Sequence, residues 1–402
     1  MKNHPEVRKM ALVLPGGGAR GAFQVGVLKA IAELLPTGSV NPFHVLSGTS
    51  AGAINSVVLA TKARRFRVAA AELEQVWSSF RSELVFRTDS WTMLKSSLHW
   101  MLAIVLGGYV VGVPRSLLDN SPLAELLSRN IRFPRLQACI DKGYLEAVAV
   151  TAASYGSARS TTFFQALGDR KTWTRTRRRG VSAEIHLDHL MASIAVPMIF
   201  PPVCINGEYF GDGAMRQATP LSPAIHLGAD RILVIGVRDE MADPPGNPDQ
   251  PPPFPSFVQI AGYMLDTLFL DGLYADLERM TRINQLIDSV DPATRGGVSA
   301  LMRPIDTMIV VPSRDLRELA LEYRKDMPRP VRALLRGIGG RGRGEGRLLS
   351  YLLFEQSYTR ELIKLGYNDA MRVREQLLSF VTGKDVPRLM APEWVQRDLG
   401  SL

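Results

Sequence analysis

The pattern of apolar positions in the first 65 residues repeats one structural unit twice. Met10–Leu14 is a continuous apolar run that predicts a short buried strand, and residues 22–35 then place apolar side chains at helical spacing. Residues 43–46 predict a second strand, and residues 53–63 again follow a helical spacing. Because a glycine-rich turn joins strand to helix in both units, we expect a parallel sheet covered by helices.

Further apolar runs predict more strands, and one interruption predicts a boundary. The predicted strands are residues 146–151, 161–164, 203–205, 209–210 and 231–237. Seven prolines between residues 243 and 255 exclude regular helix or central strand there. We therefore expect an α/β domain over 10–240, a proline-rich linker over 241–257 and a mainly helical extension over 258–402. The extension should pack on the core and add a strand near 307–311.

Residues 91–113 are strongly apolar, and three interpretations of them are open. Between residues 98 and 113 the only charged or basic side chain is that of His99. This run has 16 residues, whereas a membrane-spanning helix needs about 20. Its glycines and valines also weaken helix formation. A buried helix pair, a lipid-contacting flap and a membrane span are the alternatives.

The composition is that of an ordinary folded protein with an excess of basic residues. The 402 residues are 46% hydrophobic and 22% charged, and the formal net charge is +9. The excess is concentrated in residues 170–179 and 329–347, which either form solvated loops or face anionic groups. Because no nucleic-acid-binding motif accompanies these arginines, a lipid surface is the favoured partner and no nucleic acid is expected.

The N-terminus and the cysteines give no sign of export. The apolar run Met10–Leu14 is only five residues long and meets glycines instead of a cleavable small-residue site, so no signal peptide is expected. Cys139 and Cys204 are far apart and offer neither a disulfide framework nor a metal cluster, which suits a reducing compartment. We therefore expect a cytoplasmic protein without a metal or a cofactor.

Gly48-Thr49-Ser50-Ala51-Gly52 stands between a predicted strand and a predicted helix. The sequence has the form of a nucleophile elbow, in which a sharp turn lifts a serine hydroxyl clear of the sheet. Gly48 and Gly52 suit this turn because side chains there would collide across it. The following helix places N–H groups and a positive dipole end beside a developing oxyanion. Ser50 is therefore a candidate nucleophile, with a purely structural turn as the alternative.

The glycine turn after the first strand has two interpretations. Its residues are Gly16, Gly17, Gly18, Ala19, Arg20 and Gly21. Their spacing is that of a dinucleotide-binding loop, which also requires an acidic residue at the end of the second strand. This chain has the turn around Ser50 there, and the acidic residue is missing. The glycines would instead let backbone N–H groups converge on an anionic oxygen as an oxyanion hole.

A serine nucleophile needs a base, and two candidates follow Ser50 along the chain. His226 would complete a serine, acid, histidine order, but its surroundings predict a helix behind the sheet, where an ordinary packed histidine is the alternative. Asp212 follows a predicted hairpin and is flanked by glycines, so that a short carboxylate could be held at a fixed distance from a hydroxyl. A simple turn aspartate is the alternative for Asp212.

Taken together, these motifs resemble those of the patatin-like phospholipase family, in its bacterial type. The resembling segments are the glycine loop at 16–21, the elbow at 48–52, the block at 192–202, and Asp212-Gly213-Ala214. The resemblance implies a three-layer α/β sandwich, in which helices cover a central, mostly parallel sheet, with a C-terminal helical extension. It also implies a dyad of Ser50 and Asp212 without histidine, with the glycine loop as the oxyanion hole.

The same resemblance predicts a serine hydrolase that cleaves acyl esters of phospholipids or other lipids through an acyl-enzyme. We also expect peripheral contact with the inner face of a membrane, while the oligomeric state is left open. Two alternatives stand beside this hypothesis, because a fold does not by itself choose a function. One is a non-catalytic lipid-binding protein on the same fold, and the other is a nucleotide-binding oxidoreductase built on the glycine loop.

Overall fold

The computed structural model describes residues 8–89, 116–240, 254–290, 303–337, 339 and 342–400. The apolar stretch at 91–113 and most of the linker expected at 241–257 lie outside these residues, so the interpretations attached to them stay predictions. The strands are β1 (Met10–Leu14), β2 (Val45–Thr49), β3 (Ala147–Ser154), β4 (Ser160–Ala166), β5 (Trp173–Arg175), β6 (Arg178–Ser182), β7 (Val203–Ile205), β8 (Glu208–Asp212), β9 (Arg231–Ile235), β10 (Asp306–Val310) and β11 (Leu389–Met390).

Helices flank the strands throughout the described chain. They are α1 (Gly21–Leu34), α2 (Ala51–Thr61), α3 (Phe66–Ser78), α4 (Ser82–Val85), α5 (Ser121–Asn130), α6 (Pro134–Asp141), α7 (Leu187–Ser193), α8 (Ser222–His226), α9 (Phe257–Asp266), α10 (Gly272–Ser289), α11 (Leu316–Glu322), α12 (Arg329–Gly337), α13 (Gly342–Leu352), α14 (Gln356–Arg372), α15 (Arg374–Val381) and α16 (Glu393–Gly400). In this described part, no helix has both the length and the apolar composition needed to cross a membrane.

The strands form one mixed sheet in the order β11-β10-β9-β1-β2-β3-β4-β6-β5. Every neighbouring pair from β11 to β3 is parallel. β4 runs antiparallel to β3, and the β7–β8 hairpin joins the sheet through an antiparallel pairing of β8 with β3. Parallel pairs need long crossovers, and helices such as α1 between β1 and β2 supply them.

The two faces of the sheet carry separate hydrophobic cores. Side chains of a strand alternate between faces, so Leu12 of β1 joins one core while Ala11 and Val13 join the other. Residues of α1, α2, α3, α11, α13 and α14 cover the first face, and residues of α8, α10 and α16 cover the second. The fold is therefore the three-layer α/β sandwich that the sequence predicts.

The C-terminal residues contribute to both the sheet and its covering layers. A Cβ placed on Gly26 of α1 would lie 2.0 Å from Ile363 O of α14, and one on Gly366 would lie 2.1 Å from Phe23 O. The two helices therefore cross with their backbones in contact. The strand expected near 307–311 is β10, which pairs in parallel with β9 and lies second from one edge of the sheet, beside β11.

Residues 170–179 are largely exposed, as expected of a solvated segment, but they form mainly a hairpin and not a loop. Most of these residues belong to the hairpin of β5 and β6 at one edge of the sheet. Trp173 anchors the hairpin by stacking on Phe164, with 5.0 Å between the ring centroids, and its ring lies over Gly180. The single large aromatic residue decides the conformation here, because the arginines around it are compatible with either a loop or an edge strand.

Candidate active site

Ser50 lies at the sharp turn between β2 and α2. Its backbone has φ 54° and ψ −128°, a positive-φ conformation that costs about 1–3 kcal/mol for a residue with a side chain. A Cβ on Gly48 would lie 2.3 Å from Gly52 O, and one on Gly52 would lie 2.0 Å from Leu14 O. The close packing of the turn therefore requires both glycines, and it places Ser50 beyond the carboxyl end of β2.

A second serine fixes this turn. Ser50 N–H donates to Ser193 Oγ at 2.8 Å, and the Ser193 hydroxyl donates to Thr151 O at 2.7 Å. All three residues are buried, so these bonds tie the turn to β3 through the end of α7. Sequence reasoning missed Ser193 as a positioning residue, although it lies in the block at 192–202 that contributes to the family resemblance.

Strand pairing places Asp212 near the turn at which the chain leaves β2. Thr49, the last residue of β2, is opposite Thr151 of β3. Asp212, the last residue of β8, is opposite Ala152, the next residue of β3. β4 pairs with one edge of β3, so β2 and β8 both pair with the opposite edge. The pairing of β8 begins where the chain turns away from the sheet at the end of β2. The register therefore sets Ser50 beside Asp212.

The Asp212 carboxyl group is buried and only partly hydrogen-bonded. Ala214 N–H donates to Asp212 Oδ1 at 2.9 Å, whereas Oδ2 has no hydrogen-bond partner among the described residues. Burial raises the pKa of Asp212 to about 7, and the nearby Ser50 hydroxyl and the Ala214 N–H oppose this rise. The hydroxyl thus lies close to the carboxylate without forming a complete hydrogen bond. Contacts of this kind commonly tighten when substrate binds.

Residues after the aspartate hold its turn against β2 and β3. A Cβ on Gly213 would lie 2.1 Å from Thr151 O, so a side chain does not fit there. Thr49 Oγ1 donates to Gln217 Oε1, and Gln217 Nε2 donates to Thr151 Oγ1 at 3.4 Å. The Asp-Gly-Ala motif therefore has two local functions: Gly213 permits the close approach, and the backbone of Ala214 binds the carboxylate.

The glycine loop passes beside Ser50. A Cβ on Gly16 would lie 3.0 Å from Ser50 Cβ, which places the loop in contact with the serine. Gly18 has a φ of 54°, and the carbonyl oxygen of Tyr351 lies 2.3 Å from the position that its Cβ would occupy. Both glycines are thus needed for close approach, one toward the serine and the other toward α13.

Some backbone N–H groups of the glycine loop already donate hydrogen bonds within the loop, and others do not. Arg20 N–H donates to Gly17 O at 3.1 Å, and Gly21 N–H donates to carbonyl groups of Gly18 and Ala19. Among the described residues, no acceptor binds the N–H groups of Gly17 and Gly18. The N–H group of Ala19 likewise has no acceptor in the described part of the chain, so these three groups are available to bind a negatively charged oxygen near Ser50.

The Arg20 side chain points into the C-terminal extension. Its guanidinium donates to Ser350 Oγ through Nε at 3.0 Å and through Nη2 at 2.7 Å, and it lies 4.0 Å from the centre of the Tyr351 ring. Asp266 accepts the Tyr351 hydroxyl at 2.7 Å and lies 3.4 Å from Arg20 Nη2. Arg20 is only 2% exposed, so it forms a buried anchor between the glycine loop and α13.

An apolar pocket of about 600 Å³, including its open mouth, reaches Ser50. Trp77 and Phe80 line it from the N-terminal half of the chain, whereas Leu265, Phe269 and Phe354 line it from the extension. Its walls offer many aromatic and aliphatic contacts, a composition that suits a hydrocarbon chain. The sequence did not indicate that the C-terminal extension lines part of this pocket.

His226 is not part of this arrangement. Its ring stacks on Trp173, with 4.7 Å between the ring centroids, and no histidine lines the Ser50 pocket within the part of the chain that the structure describes. Burial, together with Arg175 and Arg178, lowers the pKa of His226 to about 4. Of the two candidate bases, the structure brings Asp212 to Ser50 and packs His226 elsewhere.

The chain resembles known proteins in sequence and in structure. A sequence model of the patatin-like phospholipase family matches residues 12–225, more than half of the chain. Lysophospholipase nte1 of Aspergillus terreus is 37% identical over 91 residues, which are 21% of this chain and 6% of that much longer protein. The crystal structure of VipD from Legionella pneumophila aligns with a TM-score of 0.38 at 12% identity, over 98% of this chain and 73% of VipD.

Proposed function

This chain belongs to the patatin-like phospholipase family, and from this membership we propose that it is a serine hydrolase of fatty acyl esters of lipids. In the proposal, Ser50 is the nucleophile, Asp212 is its base and the glycine loop provides the oxyanion hole. The supporting observation is the strand register that sets Ser50 beside Asp212, at an apolar pocket. A hydroxyl, a buried carboxylate and an apolar cavity together suit attack on the ester of a long-chain acid.

The proposed reaction has two steps. Asp212 accepts the Ser50 proton while Oγ attacks the ester carbonyl carbon, and the N–H groups of Gly17 and Gly18 donate to the oxyanion. The leaving alcohol takes the proton from Asp212, and the acyl group stays on Ser50. Asp212 then accepts a proton from water as the water attacks the acyl-enzyme. It returns this proton to Ser50 Oγ as the bond between Oγ and the acyl carbon breaks and the fatty acid leaves.

The extension takes part in the proposed site. Leu265, Phe269 and Phe354 supply one wall of the pocket, and α13 holds the glycine loop through Arg20. We therefore propose that the regions 10–240 and 258–402 act as one catalytic unit on a phospholipid or another acyl ester. Substrates of this kind reside in membranes, so the proposal includes peripheral contact with a lipid surface.

Two measurements on the purified protein test the proposed activity. Mass spectrometry of a mixed lipid extract after incubation should detect free fatty acids and the matching deacylated lipids. A fluorophosphonate probe, which reacts with activated serines, should add its mass to the peptide that contains Ser50. A protein that releases no fatty acid from any lipid and takes up no probe at Ser50 would instead support the non-catalytic lipid-binding alternative.

The activity should increase with pH up to about pH 7 and then level off, because Asp212 must be ionised to accept the proton and burial raises its pKa to about 7. The measurement is kcat/KM for a water-soluble short-chain ester between about pH 5 and pH 9. Below the midpoint, the rate should fall about tenfold for each pH unit. A profile that is flat through this midpoint would exclude Asp212 as the base.

Arg20→Met is expected to lower kcat for the short-chain ester by about 10- to 100-fold, because small displacements of catalytic donors have effects of this size. The variant loses the hydrogen bonds to Ser350, which hold the loop that carries Gly17 and Gly18. KM should change little, because Arg20 does not line the pocket.

Arg231→Met is the matched control for this prediction. Arg231 is also fully buried, and it binds Asp306 and the carbonyl of Phe380, away from the glycine loop. Both variants should unfold at lower temperature than the native protein, because each loses the hydrogen bonds and ion-pair contacts that a buried guanidinium makes. Only Arg20→Met should lose kcat per folded molecule, and an equal loss in both variants would contradict the positioning role.

A further inference from the structure

The outer side of α9 is an exposed apolar surface. Phe257, Ile260, Tyr263 and Met264 are 45–63% exposed on this helix, and Phe254, just before it, is 92% exposed. Their spacing places them along one side of the helix. We call these five residues the apolar face. A contiguous set of large exposed apolar side chains on one helix is unusual for a soluble surface and marks an interaction site.

The charges around the apolar face are segregated from it. No charged residue occurs from 254 to 265, although surface helices normally carry charges on the exposed side. Helix α12 exposes Arg329 and Arg336 and is therefore basic on its outer side. A Cβ on Gly339, just after α12, would lie 2.9 Å from Ser256 Cβ at the start of α9. The basic helix thus ends where the apolar face begins.

The inner side of α9 belongs to the proposed active site. Val258 and Leu265 are buried, and Leu265 lines the Ser50 pocket together with Phe269, which follows it in the next turn. One helix therefore separates the apolar face from the pocket. A molecule bound at the apolar face would lie one helix diameter from the acyl-binding cavity, about 10 Å.

We propose that the apolar face and α12 form a docking surface for an anionic lipid membrane. An interfacial helix of this type inserts its apolar side at the boundary between head groups and acyl chains, while neighbouring arginines bind anionic head groups. The exposed arginines of α12 complement an anionic membrane, whereas a second copy of this chain has a formal net charge of +9 and is therefore of like charge. The consequence for catalysis, delivery of lipid to the pocket, rests on the proposed function, but docking itself does not.

Vesicle binding of the full chain tests the docking surface. The variant Phe257→Ser with Tyr263→Ser should reduce cosedimentation with vesicles of phosphatidylcholine and phosphatidylglycerol by about tenfold or more, because two large side chains no longer insert. Leu286→Ser is the matched control, since Leu286 is 67% exposed on α10, which covers the other face of the sheet. Unchanged binding by the double variant, or an equal loss in the control, would overturn the proposal.

The basic part of the surface has its own test. The variant Arg329→Glu with Arg336→Glu should weaken binding to vesicles that contain phosphatidylglycerol and should leave weak binding to pure phosphatidylcholine unchanged. Raising the salt concentration should reduce the binding of the native protein in the same way. If neither the charge reversal nor added salt changes vesicle binding, α12 does not contribute to the docking surface.

Two further readouts separate docking from catalysis and from self-association. Hydrolysis of a water-soluble short-chain ester should be unchanged in the Phe257→Ser, Tyr263→Ser variant, whereas hydrolysis of vesicle lipid should fall. If no ester is hydrolysed by any variant, the proposed function fails, and cosedimentation still decides the docking surface. If light scattering finds a native dimer that this variant dissociates while vesicle binding stays unchanged, the apolar face is a dimer interface and the proposal is overturned.

Discussion

Ser50→Ala is expected to lower the rate of ester hydrolysis by at least about 10⁴-fold, as the loss of a serine nucleophile does in other hydrolases. The substitution removes the attacking oxygen, while the N–H groups of the glycine loop and the apolar pocket stay in place. Release of p-nitrophenol from a short-chain acyl ester by the purified variant measures the effect. Circular dichroism and the unfolding temperature show whether the variant is folded.

Ser56→Ala provides the control for the loss of a buried serine hydroxyl. Ser56 lies on α2, the helix that begins directly after Ser50, and its hydroxyl has no hydrogen-bond partner among the described residues. The control should therefore hydrolyse the ester at the native rate. A folded Ser50→Ala protein that keeps the native rate would reject Ser50 as the nucleophile.

Asp212→Asn is expected to reduce hydrolysis by about 10³-fold or more, because an amide does not accept the serine proton. The asparagine side chain has nearly the same shape, and its oxygen still accepts the Ala214 N–H. The loss should therefore appear in kcat and not in the folding yield. If the folded variant retains native activity, the base is another group.

The same substitution should stabilise the protein in a pH-dependent manner. Burial raises the pKa of Asp212 to about 7 from the ordinary value of 3.8, so ionisation in the folded state carries a free-energy cost. The stability that protonated Asp212 gives the folded protein is fully present below about pH 4. This contribution is lost as the pH rises through about pH 7. The unfolding temperature of Asp212→Asn should therefore exceed that of the native protein at about pH 8 and match it near pH 4.

Asp276→Asn separates this effect from that of any buried aspartate. Burial also raises the pKa of Asp276, to about 6, and its carboxylate accepts Leu221 N–H at 2.9 Å on the other face of the sheet. The control should gain stability at high pH in a similar way but keep its activity. Loss of activity in both variants would show that the effect of Asp212→Asn is not specific to the proposed base.

The sequence predicts the local geometry around Ser50 because glycines occur where a side chain would not fit or where φ is positive. Gly48 and Gly52 are required where the turn brings backbone atoms within 2.3 Å of the position that a Cβ would occupy, and Gly18 is required where φ is positive. Family resemblance supplied the pairing of Ser50 with Asp212, which no local pattern contains. The strand register gives the physical reason for that pairing, since β8 follows β2 along the edge of β3.

The remainder of the site depends on contacts between residues that are distant in sequence. Ser193 reaches the elbow from α7, and Ser350 reaches Arg20 from α13. Neither serine stands out in a pattern of apolar and polar positions, because a single buried hydroxyl leaves no periodic signal. The conformation of residues 170–179 was missed for a related reason, since Trp173 decides it through packing against Phe164.

The crossing of α1 and α14 has a practical consequence for any shortened version of the protein. Gly26 and Gly366 let the two helices touch backbone to backbone, and β10 covers an edge of β9. A polypeptide ending before the proline-rich segment would leave an uncovered helix groove and a row of unpaired strand amides, which favour aggregation. The regions on either side of the prolines pack on each other, so we expect the two pieces of a chain cleaved between them to stay together.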